Sequence, residues 1–155
     1  MIKLKNYFKL NDDQELAYSQ AFAKQNKKKI PGVVFLSGLK SDMEGTKAVY
    51  LHKWALHKGI SFLRFDYRGH GNSSGSYEDN SLTDWLEDTK KIILNLTTGP
   101  QILVGSSLGG WLSLLFAERY PEKVSGIVGI AAAPDFTEQY KDENLNKEQK
   151  NQIKK

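Results

Sequence analysis

The sequence predicts an α/β fold, a mostly parallel sheet with helices on both faces. Short, unbroken apolar runs recur at 32–36, 60–65, 101–104 and 124–131, which is typical of strands buried on both sides. The segments between these runs have helical periodicity. Strands and helices therefore alternate, as they do in the βαβ units of a parallel sheet.

A β-hairpin is predicted before the first buried run. Apolar and polar residues roughly alternate over 3–10 and again over 15–23. Asn11, Asp12 and Asp13 lie between the two segments and form a turn signal. We therefore expect two neighbouring strands at the start of the chain.

Three helices are predicted, over about 46–58, 81–96 and 108–119. Ser81 and Asp84 have the spacing of a capping box at the start of the second helix, and Pro121 stops the third. The residues on one face of the second helix are Leu82, Trp85, Leu86, Thr89, Ile92, Ile93 and Leu96.

Composition indicates one globular domain. The 155 residues are 26% charged and 39% hydrophobic, which fits a single folded unit better than a disordered chain. We expect a core over 1–137 and a polar tail, helical or frayed, over 138–155. The sequence has no cysteine, which excludes disulfides, thiolate metal sites and cysteine nucleophiles.

The charge pattern bears on partners and location. The net charge of +4 comes almost entirely from scattered lysines, so no nucleic-acid partner is expected. No apolar run reaches membrane-spanning length, and the N-terminal residues lack a signal-peptide core, so we expect a cytoplasmic protein. No pairing of histidines and carboxylates has metal-ligand spacing, and neither a metal nor a cofactor is predicted.

The strongest chemical motif is the GxSxG segment 105–109, which follows a predicted strand and opens a predicted helix. Glycines two residues before and after Ser107 let strand and helix approach closely, and this places Ser107 at the tip as a candidate nucleophile. The Leu108 amide would face a developing oxyanion. Ser106 fails the frame because Val104 takes its glycine position. A tight turn without chemistry is the alternative.

A second oxyanion donor is expected from the loop after the strand 32–36. We predict the Leu39 amide for this role, because Gly38 would let the backbone approach a substrate carbonyl. A plain loop and helix cap before residue 46 is the alternative for this segment.

His70 is a candidate at the edge of the site. It lies in the segment 66–73, after a predicted strand, but it precedes Ser107, whereas the catalytic histidine that accompanies a GxSxG serine turn follows the serine in the chain. A structural role is therefore favoured, with Asp66 and Arg68 fixing the loop by hydrogen bonds. His52 and His57 fall in the first predicted helix, where packing or solvated roles are expected.

Four segments, 41–48, 64–71, 105–111 and 132–137, resemble successive signatures of the α/β-hydrolases. Within that superfamily they are similar to the serine esterases that remove palmitoyl groups from proteins and cleave acyl glucuronides. The resemblance implies Ser107 as nucleophile, with oxyanion donors at Leu39 and Leu108. It also implies a small-molecule or acylated-protein substrate with an ester or thioester bond.

The sequence departs from this family after Ser107. The family continues with two further strands, an acid after one and the catalytic histidine after the other, whereas no histidine follows His70 here. We therefore expect a hydrolase truncated before the acid and the histidine, completed by a C-terminal chain or nearly inactive alone. A non-catalytic binding module or an inactive remnant is the alternative. We also expect 124–131 to be an edge strand.

Overall fold

The computed structural model describes residues 5–23 and 30–135. The strands are β1 (Asn6–Lys9), β2 (Glu15–Ala21), β3 (Val33–Leu36), β4 (Phe62–Phe65), β5 (Gln101–Ser106) and β6 (Val124–Ile130). The helices are α1 (Thr46–Lys58), α2 (Leu82–Leu96) and α3 (Leu108–Arg119). Each predicted strand and helix is present with its bounds shifted by a few residues. The predicted tail 138–155 lies outside the described residues.

One sheet carries all six strands, in the order β1-β2-β4-β3-β5-β6. The strands β3, β4, β5 and β6 run parallel to one another. The strands β1 and β2 form an antiparallel hairpin, and β2 pairs with β4 in the antiparallel direction. The mostly parallel α/β fold is thus confirmed. Within the described residues β6 pairs only with β5, so it is an edge strand, as expected.

Helices cover both faces of the sheet because alternate strand residues point to opposite sides. Val33 and Phe35 of β3 pack with Ala48 and Ala55 of α1 on one face. The other face packs against α2 and α3, and its buried cluster includes Val34, Leu36, Leu63, Phe65, Leu86, Ile92, Ile93, Leu112 and Phe116. None of the helices in the described ranges has the length and apolar character required to cross a bilayer.

Local signals fix the helix ends. Ser81 and Asp84 form the predicted capping box, in which each side chain bonds the other residue's backbone N–H. Gly59 ends α1 in a left-handed conformation, and its N–H donates to the Ala55 and Leu56 carbonyls.

The parallel strands bring four loops to one edge of the sheet. The carboxyl ends of β3, β4, β5 and β6 lie side by side, and this is where ligands bind in open α/β sheets. The segments 37–45, 66–76 and 131–135 therefore surround Ser107, which follows β5.

Candidate active site

Ser107 occupies a sharp turn between β5 and α3. Its backbone has φ 52 and ψ −117, a region that non-glycine residues rarely adopt. The side chain is half-buried. In the described part of the chain the Ser107 hydroxyl has no hydrogen-bond partner, so it is available to an incoming group.

The backbone of Ser107 is bonded to β6 and the segment that follows it. The Ser107 N–H donates to the Ile130 carbonyl at 3.0 Å, and the Ala133 N–H donates to the Ser107 carbonyl at 3.3 Å. Because both partners lie outside the turn, these hydrogen bonds stabilise the positive-φ conformation of Ser107. Strained backbone of this kind persists only where the surrounding structure over-determines it.

Glycines on both sides of Ser107 permit the turn, as the motif predicts. A Cβ at Gly109 would overlap the Leu36 carbonyl, and one at Gly105 would overlap the backbone of Gly109 and Gly110. The backbones of β5, α3 and the end of β3 therefore lie so close together that a residue larger than glycine would not fit at either position.

Two backbone amides beside Ser107 have no partner among residues 5–23 and 30–135: those of Leu39 and Leu108. Leu108 is the first residue of α3, so its N–H is a free donor at a helix N-terminus. The preceding loop reaches the same place, since a Cβ at Gly38 would lie 3.4 Å from the Ser107 Cβ. Unpaired N–H donors next to a serine hydroxyl are what an oxyanion site requires.

A cavity of about 230 Å³ adjoins this turn, between β3 and the start of α1. Its lining includes Ser37, Gly38 and Ser106. The Ser37 hydroxyl is buried and is the one buried side-chain polar atom without a partner in the described residues. A larger cavity of about 580 Å³ lies at the opposite edge of the sheet, near Gly32 and Pro100, and is remote from Ser107.

Asp66 fastens two of the loops together. Its carboxylate is fully buried and accepts the Met43 N–H at 2.6 Å and the Asn72 N–H at 2.9 Å. Burial raises the pKa of this carboxyl above its usual value, although these amide hydrogen bonds act in the opposite direction. The predicted structural role of Asp66 is therefore confirmed.

His70 lies beside the Leu39 loop and is 4% exposed. The Lys40 backbone N–H donates to its Nε2 at 3.2 Å, and its Nδ1 lies 3.3 Å from the Arg68 carbonyl. Both ring nitrogens are therefore engaged, as a structural histidine requires and a free general base does not.

The sequence did not reveal the partners of two arginine side chains near the site, Arg64 and Arg68. Arg64 donates from Nε to His52 Nδ1 at 3.0 Å and also binds the Met43 carbonyl. Burial first, and then Arg64, lowers the pKa of His52 to about 4. The other contact joins Arg68 to Asp88. A sequence signal for both contacts does exist, because charged residues are rarely buried without a partner. Arg64 lies inside a predicted buried strand, and Asp88 lies on the apolar face of a predicted helix.

No group of three or more histidine or acidic side chains in the described residues is arranged to hold a metal ion. The acidic residue nearest in sequence to the end of β6, Asp135, is exposed and has φ 55.

The chain is similar in sequence to several known proteins. The family described as serine aminopeptidase, S33 (Hydrolase_4), matches residues 26–152. The human palmitoyl-protein thioesterase ABHD10, mitochondrial, is 47% identical over 112 residues, which are 72% of this chain and 37% of that protein. The pimeloyl-[acyl-carrier protein] methyl ester esterase of Shewanella woodyi is 36% identical over 104 residues, with 60% and 38% of the two chains covered.

A solved structure is similar over nearly the whole chain. Mouse alpha/beta hydrolase domain-containing protein 10 superposes with a TM-score of 0.85 at 36% identity, covering 98% of this chain and 58% of that one. The matched residues cover little more than a third of the length of the curated relatives.

Proposed function

The chain belongs to the α/β-hydrolase superfamily, and on that basis we propose that it is the nucleophile-bearing part of a serine hydrolase of acyl esters or thioesters. One observation carries the proposal: in the part of the chain that the structure describes, Ser107 has a free hydroxyl on a strained turn and lies beside the two unpartnered amides of Leu39 and Leu108. The names of the thioesterase and esterase relatives support this substrate class.

The proposed reaction is acyl transfer through Ser107. The hydroxyl oxygen attacks the substrate carbonyl carbon, its proton passes to a general base, and the carbonyl oxygen becomes an oxyanion. The Leu39 and Leu108 N–H groups donate to that oxyanion. The carbon–oxygen or carbon–sulfur bond then breaks, the leaving group takes the proton, and water hydrolyses the acyl-serine.

None of the three histidines of the sequence suits the role of base. His52 is buried against Arg64, and both nitrogens of His70 are engaged. His57 is near the end of α1, at the opposite edge of the sheet from Ser107. The proposal therefore assigns the base to a histidine outside these 155 residues, on a C-terminal segment or a second chain.

A binding module without catalysis is the second candidate. The engagement of His70 favours it, because the hydroxyl of Ser107 then has no base within the described residues to activate it. In that case the cleft at Gly38 and Ser106 would hold an acyl group without cleaving it.

Covalent labelling with a fluorophosphonate probe tests the proposal. The probe phosphonylates an activated serine, and peptide mapping by mass spectrometry locates the adduct even when labelling is slow. We expect the adduct on Ser107, faster labelling when imidazole is added as an external base, and no adduct in Ser107→Ala. Ser106→Ala is the matched control and should still be labelled. If the Ser107→Ala variant is labelled as much as the wild type, the result would favour the binding module.

A further inference from the structure

In the described residues one hydrogen bond joins the central peptide of the turn that carries Leu39 to the loop after β4, and the Lys40 Nζ also lies 4.8 Å from the centre of the Tyr77 ring. The Ser41 N–H donates to the Gly38 carbonyl at 3.1 Å and closes a four-residue turn. Its third residue, Lys40, has φ 53, the mark of a type II turn, a position that favours glycine or asparagine. A lysine there needs an outside contact to hold this conformation.

His70 supplies that contact. The Lys40 N–H donates to Nε2, so the ring proton lies on Nδ1 and points to the Arg68 carbonyl. The ring itself is locked in place. It makes edge contacts with Tyr67, Tyr77 and Trp85, with centroids 5.1 to 5.6 Å away.

The Arg68 carbonyl is fixed in turn. It also accepts the Trp85 indole N–H at 3.2 Å, and the Arg68 side chain binds the buried carboxylate of Asp88. A chain of contacts therefore runs from α2 through Arg68 and His70 to the peptide next to Leu39. Small displacements of an oxyanion donor cost rate, so such support matters to chemistry.

We propose that His70 is a positioning residue: by accepting the Lys40 N–H at Nε2, it holds the turn that presents the Leu39 amide to the oxyanion. The proposal rests on the proposed function of Ser107. It assigns His70 no proton transfer and no contact with substrate.

Two substitutions separate this role from simple packing. His70→Gln places an amide oxygen near the position of Nε2 and can accept the Lys40 N–H. His70→Asn places its amide near Nδ1 and can bond only the Arg68 carbonyl. Both remove the same aromatic ring, so a loss of packing affects them alike.

The first measurement needs no activity. Amide hydrogen exchange by NMR should show the Lys40 N–H protected in the wild type and in His70→Gln, and unprotected in His70→Asn. The ¹⁵N shifts of the wild-type imidazole should place the proton on Nδ1. A proton on Nε2 would overturn the proposal without any variant, even if both variants failed to fold.

The second measurement is the rate of fluorophosphonate labelling at Ser107. We expect His70→Asn to lower the maximal rate by about tenfold to a hundredfold with little change in probe affinity, since losing a whole oxyanion donor costs about a hundredfold or more. His70→Gln should keep most of the rate. Equal rates in the two variants would refute the role of His70, whereas a wild-type Ser107 that stays unlabelled even with imidazole added would refute the proposed function itself.

Discussion

Arg68 and Asp88 form an ion pair with 2.6 Å between Nη2 and Oδ1, and the Arg68 backbone N–H donates to Oδ2 of the same carboxylate at 2.8 Å. The Asp88 side chain has no exposed surface. Several donors thus converge on one buried acid, and they join the loop after β4 to the middle of α2.

Asp88→Asn should destabilise the protein by about 3 kcal/mol, because it removes the buried charge that binds the Arg68 guanidinium and leaves only the longer contact with the exposed Asp84, at 3.5 Å. Urea unfolding at neutral pH measures the loss. Glu87→Gln is the matched control, since the neighbouring Glu87–Lys90 pair is exposed and such pairs contribute less than about 1 kcal/mol. Similar losses in both variants would contradict the importance of burial here.

Gly109→Ala should destabilise the protein by about 3 kcal/mol, because the added methyl overlaps the Leu36 carbonyl. This exceeds the roughly 1 kcal/mol that alanine gains over glycine inside a helix. Gly126→Ala in β6 is the control, since its Cβ would meet nothing within 4 Å. We expect its melting temperature to equal or slightly exceed that of the wild type, and a drop matching Gly109→Ala would refute the steric argument.

His52 should make stability depend on pH. Its pKa is about 4 in the folded protein and about 6.5 when unfolded, so between these values the unfolded chain binds more protons. Stability then rises with pH across this window, by about 3 kcal/mol from His52 alone. His52→Asn, which keeps an acceptor for Arg64, should flatten that slope in denaturant titrations. His57→Asn, on the exposed side of the same helix, is the control, and equal slopes in the two variants would contradict the prediction.

The edge at β6 should promote self-association. Ile127 is 36% and Val128 50% exposed on a strand that pairs only with β5 in the described residues. Apolar side chains beside unpaired backbone groups favour edge-to-edge contact. Sedimentation velocity should show oligomers that Val128→Lys reduces and Leu114→Lys, on exposed α3, does not. A wild type that stays monomeric at high concentration would refute this.

The elements of the fold were predictable because their signals are local. The buried runs of β3 to β6, the face of α2 and the Ser81–Asp84 box each depend on residues a few positions apart. The same holds for the turn at Ser107, whose glycines are part of one short motif.

The supporting contacts of the site were not predictable in this way. Asp66 binds an amide 23 residues away and Arg68 a carboxylate 20 residues away, and nothing in either segment specifies the partner. The contact of His70 with Lys40 spans 30 residues and involves a backbone N–H, which leaves no trace in residue identity. Such contacts follow only once the parallel strands bring the loops to one edge.

At Ser107 the conformation of the backbone and the proposed chemistry favour different residues. The backbone alone would favour glycine at this position, since a non-glycine residue in such a sparsely populated region costs about 1 to 3 kcal/mol. Ser107→Gly should therefore raise the melting temperature while removing the hydroxyl. Under the proposed function the turn keeps the less stable residue, because only the serine hydroxyl can attack a substrate carbonyl.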